Sequence, residues 1–144
     1  MKYFVYTDGS SSHEKGTASS AYLILTEDKY ISSGTYKFED SVNSNISELN
    51  AILIGARAIS KIVDEDDIII FITDSKSSLN LVNLMIKSGY SYSLATDLEL
   101  EVQSVLKNIS NKVKKLSIMK VRAHKKDVNS PNRIVDLLAR KESR

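Results

Sequence analysis

Residues 68–73 read Ile-Ile-Ile-Phe-Ile-Thr, and the run closes on Asp74. Apolar residues at consecutive positions, without alternation, suit a strand covered on both faces, as in the interior of a parallel sheet. The rest of the chain must then supply helices for two faces and neighbouring strands for two edges. Its 144 residues, 42% of them hydrophobic, suffice for one domain with a real core and not for two. A single domain over residues 1–144 is therefore expected.

The flanking sequence supplies those elements. Residues 2–8 read as a buried strand, residues 8–12 as a turn, and residues 20–26 and 30–37 as a hairpin around Glu27-Asp28-Lys29. A first helix begins near Asn45 or Ser47 and runs to about Val63, with Leu49, Leu53 and Ala56 on one stripe and Ile52, Ile59 and Ile62 on the next. Residues 75–87 and 94–110 form two further helices. Residues 116–122 form the last strand, with Leu116, Ile118 and Met119 facing the core. After a basic loop over residues 123–130, Pro131 and Asn132 open a final helix to about Glu142. The order β-β-β-α-β-α-α-β-α implies an α/β fold with a mixed sheet. Right-handed crossovers set the strand ending at Asp74 beside the strand ending at Asp8, at the switch point where such sheets bind ligands.

Four acids lie at the ends or starts of these elements: Asp8, Glu48, Asp74 and Asp136. Each has an ordinary explanation alone. Asp8-Gly9 suits a turn, Glu48 suits the first turn of a helix dipole, Asp74-Ser75 suits a helix cap, and Asp136 suits an i,i+4 pair with Arg140. Together, carboxylates bordering core are costly unless cations meet them, and a hard divalent ion bound through oxygen satisfies several at once. The chain has no cysteine and only His13 and His124, which excludes disulfides and thiolate zinc and disfavours a histidine-rich site. The net charge of +2 identifies no partner, although basic residues gather in the C-terminal third.

Taken in order, four motifs resemble those of type 1 ribonucleases H. They are Thr7-Asp8-Gly9-Ser10 at a strand end, Asn45-Ile46-Ser47-Glu48-Leu49 at a helix start, and Thr73-Asp74-Ser75 after a buried strand. The last is His124 followed by Asn132-Arg133-Ile134-Val135-Asp136-Leu137-Leu138-Ala139. The resemblance implies a ribonuclease H-like fold, a five-stranded mixed sheet in the order 3-2-1-4-5 with helices on both faces. It implies hydrolysis of the RNA strand of RNA–DNA hybrids by two Mg²⁺ ions, with Mn²⁺ as a substitute, giving 5′-phosphate and 3′-hydroxyl products. Asp8 and Asp74 would be the central ligands, and Glu48 and Asp136 would complete the shells. His124 would shuttle a proton or aid product release. Gly9, Ser10, Asn45, Lys76 and Asn132 would contact the substrate, with Asn132 otherwise a helix cap.

The chain departs from the family pattern in places. Lys76 stands where many relatives carry Gln, and Arg133 stands where the family has Glu. Between Leu79 and Val105 the only basic residue is Lys87 and there is no Trp, so the basic protrusion of some relatives is missing and weak hybrid affinity is expected. Two other readings compete: a DNA nuclease on the same fold, and a non-catalytic nucleic-acid-binding module. The latter gains nothing from four clustered negatives. Strand sequence beginning at Lys2 leaves no room for a signal peptide, and no stretch is long enough to span a bilayer. A cytoplasmic monomer without membrane attachment is expected.

Overall fold

The computed structural model describes residues 1–12, 14–40, 42–122 and 130–143. Its strands are β1 (Lys2–Ser12), β2 (Thr17–Leu25), β3 (Tyr30–Phe38), β4 (Ile68–Thr73) and β5 (Lys115–Lys120). Its helices are α1 (Ser44–Ser60), α2 (Lys76–Lys87), α3 (Asp97–Lys112) and α4 (Pro131–Ser143). The strands form one sheet in the order β3-β2-β1-β4-β5. The β1, β2 and β3 neighbours are antiparallel, and β1 and β5 both run parallel to β4. As its composition demands, β4 is interior, with Ile69, Phe71 and Ile72 buried.

Helices cover both faces. On one face Ile52 and Ile59 of α1, Val82 and Met85 of α2, and Val102 and Leu106 of α3 join Val5, Ile24 and Phe71 in the main core. On the other, Val135 and Ala139 of α4 pack on Ala21 and Leu23 of β2. Each large apolar side chain so buried contributes about 1.5–3 kcal/mol. No helix among the described residues is long and apolar enough to cross a membrane.

Several boundaries differ from the sequence expectation, each for a physical reason. The largest difference is at β1, which does not turn at Asp8. It continues to Ser12 and pairs with β2 throughout, Asp8 opposite Ala21 and Ser12 opposite Thr17. Gly9 is therefore not a turn glycine. A Cβ on it would lie 2.5 Å from Glu48 N and 2.5 Å from Ser47 C, because the first turn of α1 passes directly over it. That helix starts earlier than expected, since Asn43 is the cap and accepts a hydrogen bond from Ile46 N at 2.9 Å. It also ends earlier, leaving Ile62 exposed. The helix expected from residue 94 begins at Asp97, where Thr96 and Glu99 form a reciprocal capping box. Met119 is 47% exposed rather than core-facing, because alternation gives the covered face of β5 to Leu116 and Ile118.

Small residues in β2 bring both helix layers close. Ser20 Oγ donates to Ser47 O at 2.6 Å, and Asn50 Nδ2 donates to Ser20 Oγ at 3.2 Å, which locks the first turns of α1 to the sheet. On the opposite face Ser19 Oγ donates to Ala139 O of α4.

Because the two nearest atoms above Gly9 are backbone, rotating the Ser47 hydroxyl away would not make room for an added methyl. Gly9→Ala is expected to cost about 1–3 kcal/mol in urea denaturation. A loss below a few tenths of a kcal/mol would mean that α1 shifts freely over β1.

Candidate active site

The β1–β4 ladder sets the site. Tyr6 pairs with Ile72; Asp8 lies two residues further along β1, and Asp74 follows directly on the carboxyl end of β4. Glu48 arrives from α1, over Gly9. Gly9 N–H donates to Asp8 Oδ1 at 2.9 Å and to Glu48 Oε1 at 3.0 Å, so one peptide group orients two carboxylates. Asp8, Glu48 and Asp74 each offer an oxygen within 4.8 Å of the others. Asp136, on α4, comes from the opposite face and is near enough to help raise the Asp8 carboxyl. Its own carboxylate is held by Arg133 Nη1 on Oδ2 at 3.2 Å and by Arg140 Nε on Oδ1 at 3.3 Å. Three of the four expected acids thus form a tight group, and the fourth adjoins it while ion-paired to its own helix.

Among the described residues no ion pair reaches Asp8 or Glu48. Asp8 is 3% exposed. Burial above all, then the charge and hydrogen bond of Glu48, the charge of Asp74 and the contact with Asp136, push its carboxyl up to about 11. Burial likewise pushes Glu48 up to about 7, against hydrogen bonds from Asp8 and Gly9 and with the charges of Asp74 and Asp136. With both acids ionised, Glu48 Oε2 is buried with no donor among the described residues to meet it. A close set of hard oxygens with one lone pair left unmet is what a divalent cation takes, so the residues fit a metal.

The remaining expected residues fall into different settings. Ser10 is half-buried on β1 opposite Ser19. Asn45 is exposed, and its Oδ1 accepts from Ser77 Oγ at 3.0 Å. With Asn43, Ser77 and Thr96 it lines a groove of about 520 Å³ where the first turns of α1, α2 and α3 converge. Lys76 is exposed at the first position of α2, two residues beyond Asp74. Asn132 is buried and donates Nδ2 to Arg122 O at 3.2 Å, tying α4 to the chain leaving β5. It is not the cap: Ser130 Oγ accepts from Arg133 N at 3.2 Å. His124 lies outside the described residues. The sequence expectation missed Ser20, Ser47 and Asn50, which fix where Glu48 stands. The signal available was the small-residue run Ala18-Ser19-Ser20-Ala21 in a buried strand.

The profile of the RNase H family matches residues 1–144. The chain belongs to the RNase H family. Members of this family cut the RNA strand of RNA–DNA hybrids and generally depend on divalent metal ions. Among solved structures, RNase H1 of the halophilic archaeon Halobacterium salinarum NRC-1 is similar with a TM-score of 0.68 and 17% identity, over 99% of this chain and 97% of that one. The N-terminal RNase H domain of Rv2228c from Mycobacterium tuberculosis, solved as a fusion with maltose-binding protein, gives 0.70 at 15% identity, over 99% and 93%. LC11-RNase H1 in complex with an RNA/DNA hybrid gives 0.66 at 15% identity, over 96% and 94%. At these identities the likeness is one of fold. No curated protein matches the sequence.

Raised carboxyls have a consequence for metal-free stability. Unfolded, Asp8 and Glu48 release their protons near 3.8 and 4.5; folded, both hold them to higher pH. Between those values the native state binds more protons than the unfolded state, so stability is highest below pH 4 for these groups and falls as pH rises. In EDTA, Glu48→Gln should become progressively more stable than the parent between pH 4 and 8, by on the order of a few kcal/mol. Denaturant melts across that range measure it, and a parent that gains on the variant with rising pH would refute the sign.

Proposed function

We propose that residues 1–144 form one catalytic domain, a metal-dependent endonuclease that hydrolyses the RNA strand of RNA–DNA hybrids to 5′-phosphate and 3′-hydroxyl ends. The observation carrying this is the convergence of Asp8, Glu48 and Asp74, with Asp136 adjoining, in a chain of the RNase H family. Two Mg²⁺ ions, or Mn²⁺, held by Asp8, Glu48, Asp74 and Asp136 would supply Lewis-acid activation of water and stabilise the leaving 3′ oxygen. The protein's own groups do the rest. Gly9 N–H holds Asp8 and Glu48 in fixed orientation, so the ligands need little reorganisation. The proton retained by the Asp8–Glu48 pair leaves as cations arrive, so ion binding releases protons and strengthens with pH.

Substrate contacts follow from position. Gly9 and Ser10 border the acids on β1, and Asn45 lies at the mouth of the groove between the helix N-termini. These groups are suited to the 2′-hydroxyl and sugar edge that separate RNA from DNA. Lys76 would hold a phosphate without reading sequence. Asn132 would act on the substrate face through its hold on α4. His124 would move a proton between the scissile oxygen and water, a task suited to an imidazole with an unperturbed pKa near 6.5. The enzyme would work as a cytoplasmic monomer, in keeping with its cysteine-free composition.

Labelled RNA–DNA hybrid, duplex DNA and duplex RNA incubated separately with Mg²⁺ or Mn²⁺ test this directly. Metal-dependent cutting of RNA in the hybrid alone is expected; equal cutting of duplex DNA would overturn it in favour of a DNA nuclease. Asp74→Asn should reduce turnover below roughly a thousandth of the parent. His124→Ala should slow turnover about tenfold to a thousandfold with calorimetric metal binding unchanged, and loss of metal binding would contradict its role.

A further inference from the structure

We propose that Arg133 and Arg140 form a guanidinium clamp on Asp136 that makes the two divalent ions bind in sequence with well-separated affinities; this rests on the two-ion reading above. The four acids are not equivalent. Asp136 has both carboxylate oxygens engaged, Oδ2 by Arg133 at 3.2 Å and Oδ1 by Arg140 at 3.3 Å. Among the described residues no ion pair reaches Asp8 or Glu48, and Glu48 Oε2 has no partner. A first cation at Asp8, Glu48 and Asp74 therefore meets repelling carboxylates and relieves them. A second, which needs Asp136, must compete with two cationic side chains already in place.

The clamp is built into the helix. Arg133 and Arg140 stand at i−3 and i+4 from Asp136, the two spacings that put side chains beside one another on one face of α4. The planar guanidinium fork suits a carboxylate, and its charge does not titrate away. Arg133 and Arg140 are 33% and 42% exposed and Asp136 is 25% exposed, so the pairs are partly screened and can open. They weaken the second ion without excluding it. Arg133 and Arg140 are thus positioning residues for metal loading, acting through Asp136.

Calorimetric titration of Mn²⁺ into the metal-stripped full chain tests this without reference to turnover. The parent should show a tight phase and a weak phase, and Asp136→Asn should lose the weak one. Arg133→Ala and Arg140→Ala should each tighten the weak phase about threefold to tenfold and leave the tight phase in place. Arg133→Lys, which keeps charge without the fork, should fall between parent and Arg133→Ala. Thermal melts report whether each variant is folded, and both arginines are exposed enough that one of the two remains usable. The clamp is overturned if the weak phase is unmoved or loosened, if both phases shift equally as a net-charge effect would make them, or if no variant shows a second phase. A protein that cuts no hybrid yet shows these shifts would sink the nuclease reading and keep the clamp; one that cuts hybrid without them would do the reverse.

Discussion

The site depends on one close approach, that of the α1 backbone to β1 at Gly9. Only a residue without Cβ leaves room there, since the atoms 2.5 Å from an added Cβ are main-chain atoms of Ser47 and Glu48. The approach is then fastened from the neighbouring strand by Ser20 to Ser47 O and by Asn50 to Ser20. Without it Glu48 would stand a side chain's width further from the sheet, out of reach of Gly9 N–H. On the other face the same economy of side-chain size operates, with Ser19 and Ala21 meeting Ala139. Two helices approach opposite faces of one strand pair, at the level where Asp8 pairs with Ala21.

That arrangement works against stability. Hydrophobic packing of α1 and β4 holds acids near one another that would separate if free to do so. A buried lone pair on Glu48 and a pair of carboxyls both raised above their ordinary range are local conflicts inside an otherwise consistent core. Conflicts of this kind cluster at functional sites, where the rest of the structure over-determines the geometry. Here the over-determination is visible in the Gly9 N–H, which serves two carboxylates at once.

Much of this was legible in the residues, because hydrophobic pattern reports burial. The uninterrupted run at residues 68–73 marked β4 as interior, and the two apolar stripes of α1 match a helix whose Leu49, Ile52, Leu53 and Ile59 all join the core. Crossover handedness then put Asp8 and Asp74 together. What was not legible was close approach, which leaves no hydrophobic signal. Gly9 read as a turn because a turn and a steric gap ask for the same residue. The serines of β2 carry no hydrophobic signal, although Ser20 holds α1 and Ser19 holds α4 through their hydroxyl donors. Helix starts escaped in a similar way: α3 was expected from residue 94, while the capping box of Thr96 and Glu99 sets its start at Asp97. The pairing of Asp136 with Arg140 was visible at i,i+4, and the structure adds Arg133 to it, so the ordinary explanation of that acid and its place beside Asp8 hold together.

The segment between α2 and α3 bears on how such a site would hold a nucleic acid. Gln103 donates to Tyr92 O at 3.2 Å and accepts from Tyr92 N at 2.9 Å, which fastens the connection to α3. Lys87 is the only basic residue between Leu79 and Val105, so a connection fastened this way would offer little to a phosphate backbone. Each phosphate neutralised adds to the steepness with which binding falls with salt, so few such contacts mean modest affinity and shallow salt dependence. On the proposed reading, more of the binding would come from the groove at the helix N-termini, where Asn43, Asn45, Ser77 and Thr96 rim an otherwise apolar lining, and from cations shared between carboxylates and substrate phosphate. Substrate affinity and metal loading become coupled quantities in a chain of this kind. On the proposed reading the coupling would centre on Asp136, where the Arg133 and Arg140 guanidinium groups and a metal ion would compete for the same two carboxylate oxygens while a substrate phosphate would draw on the same cations.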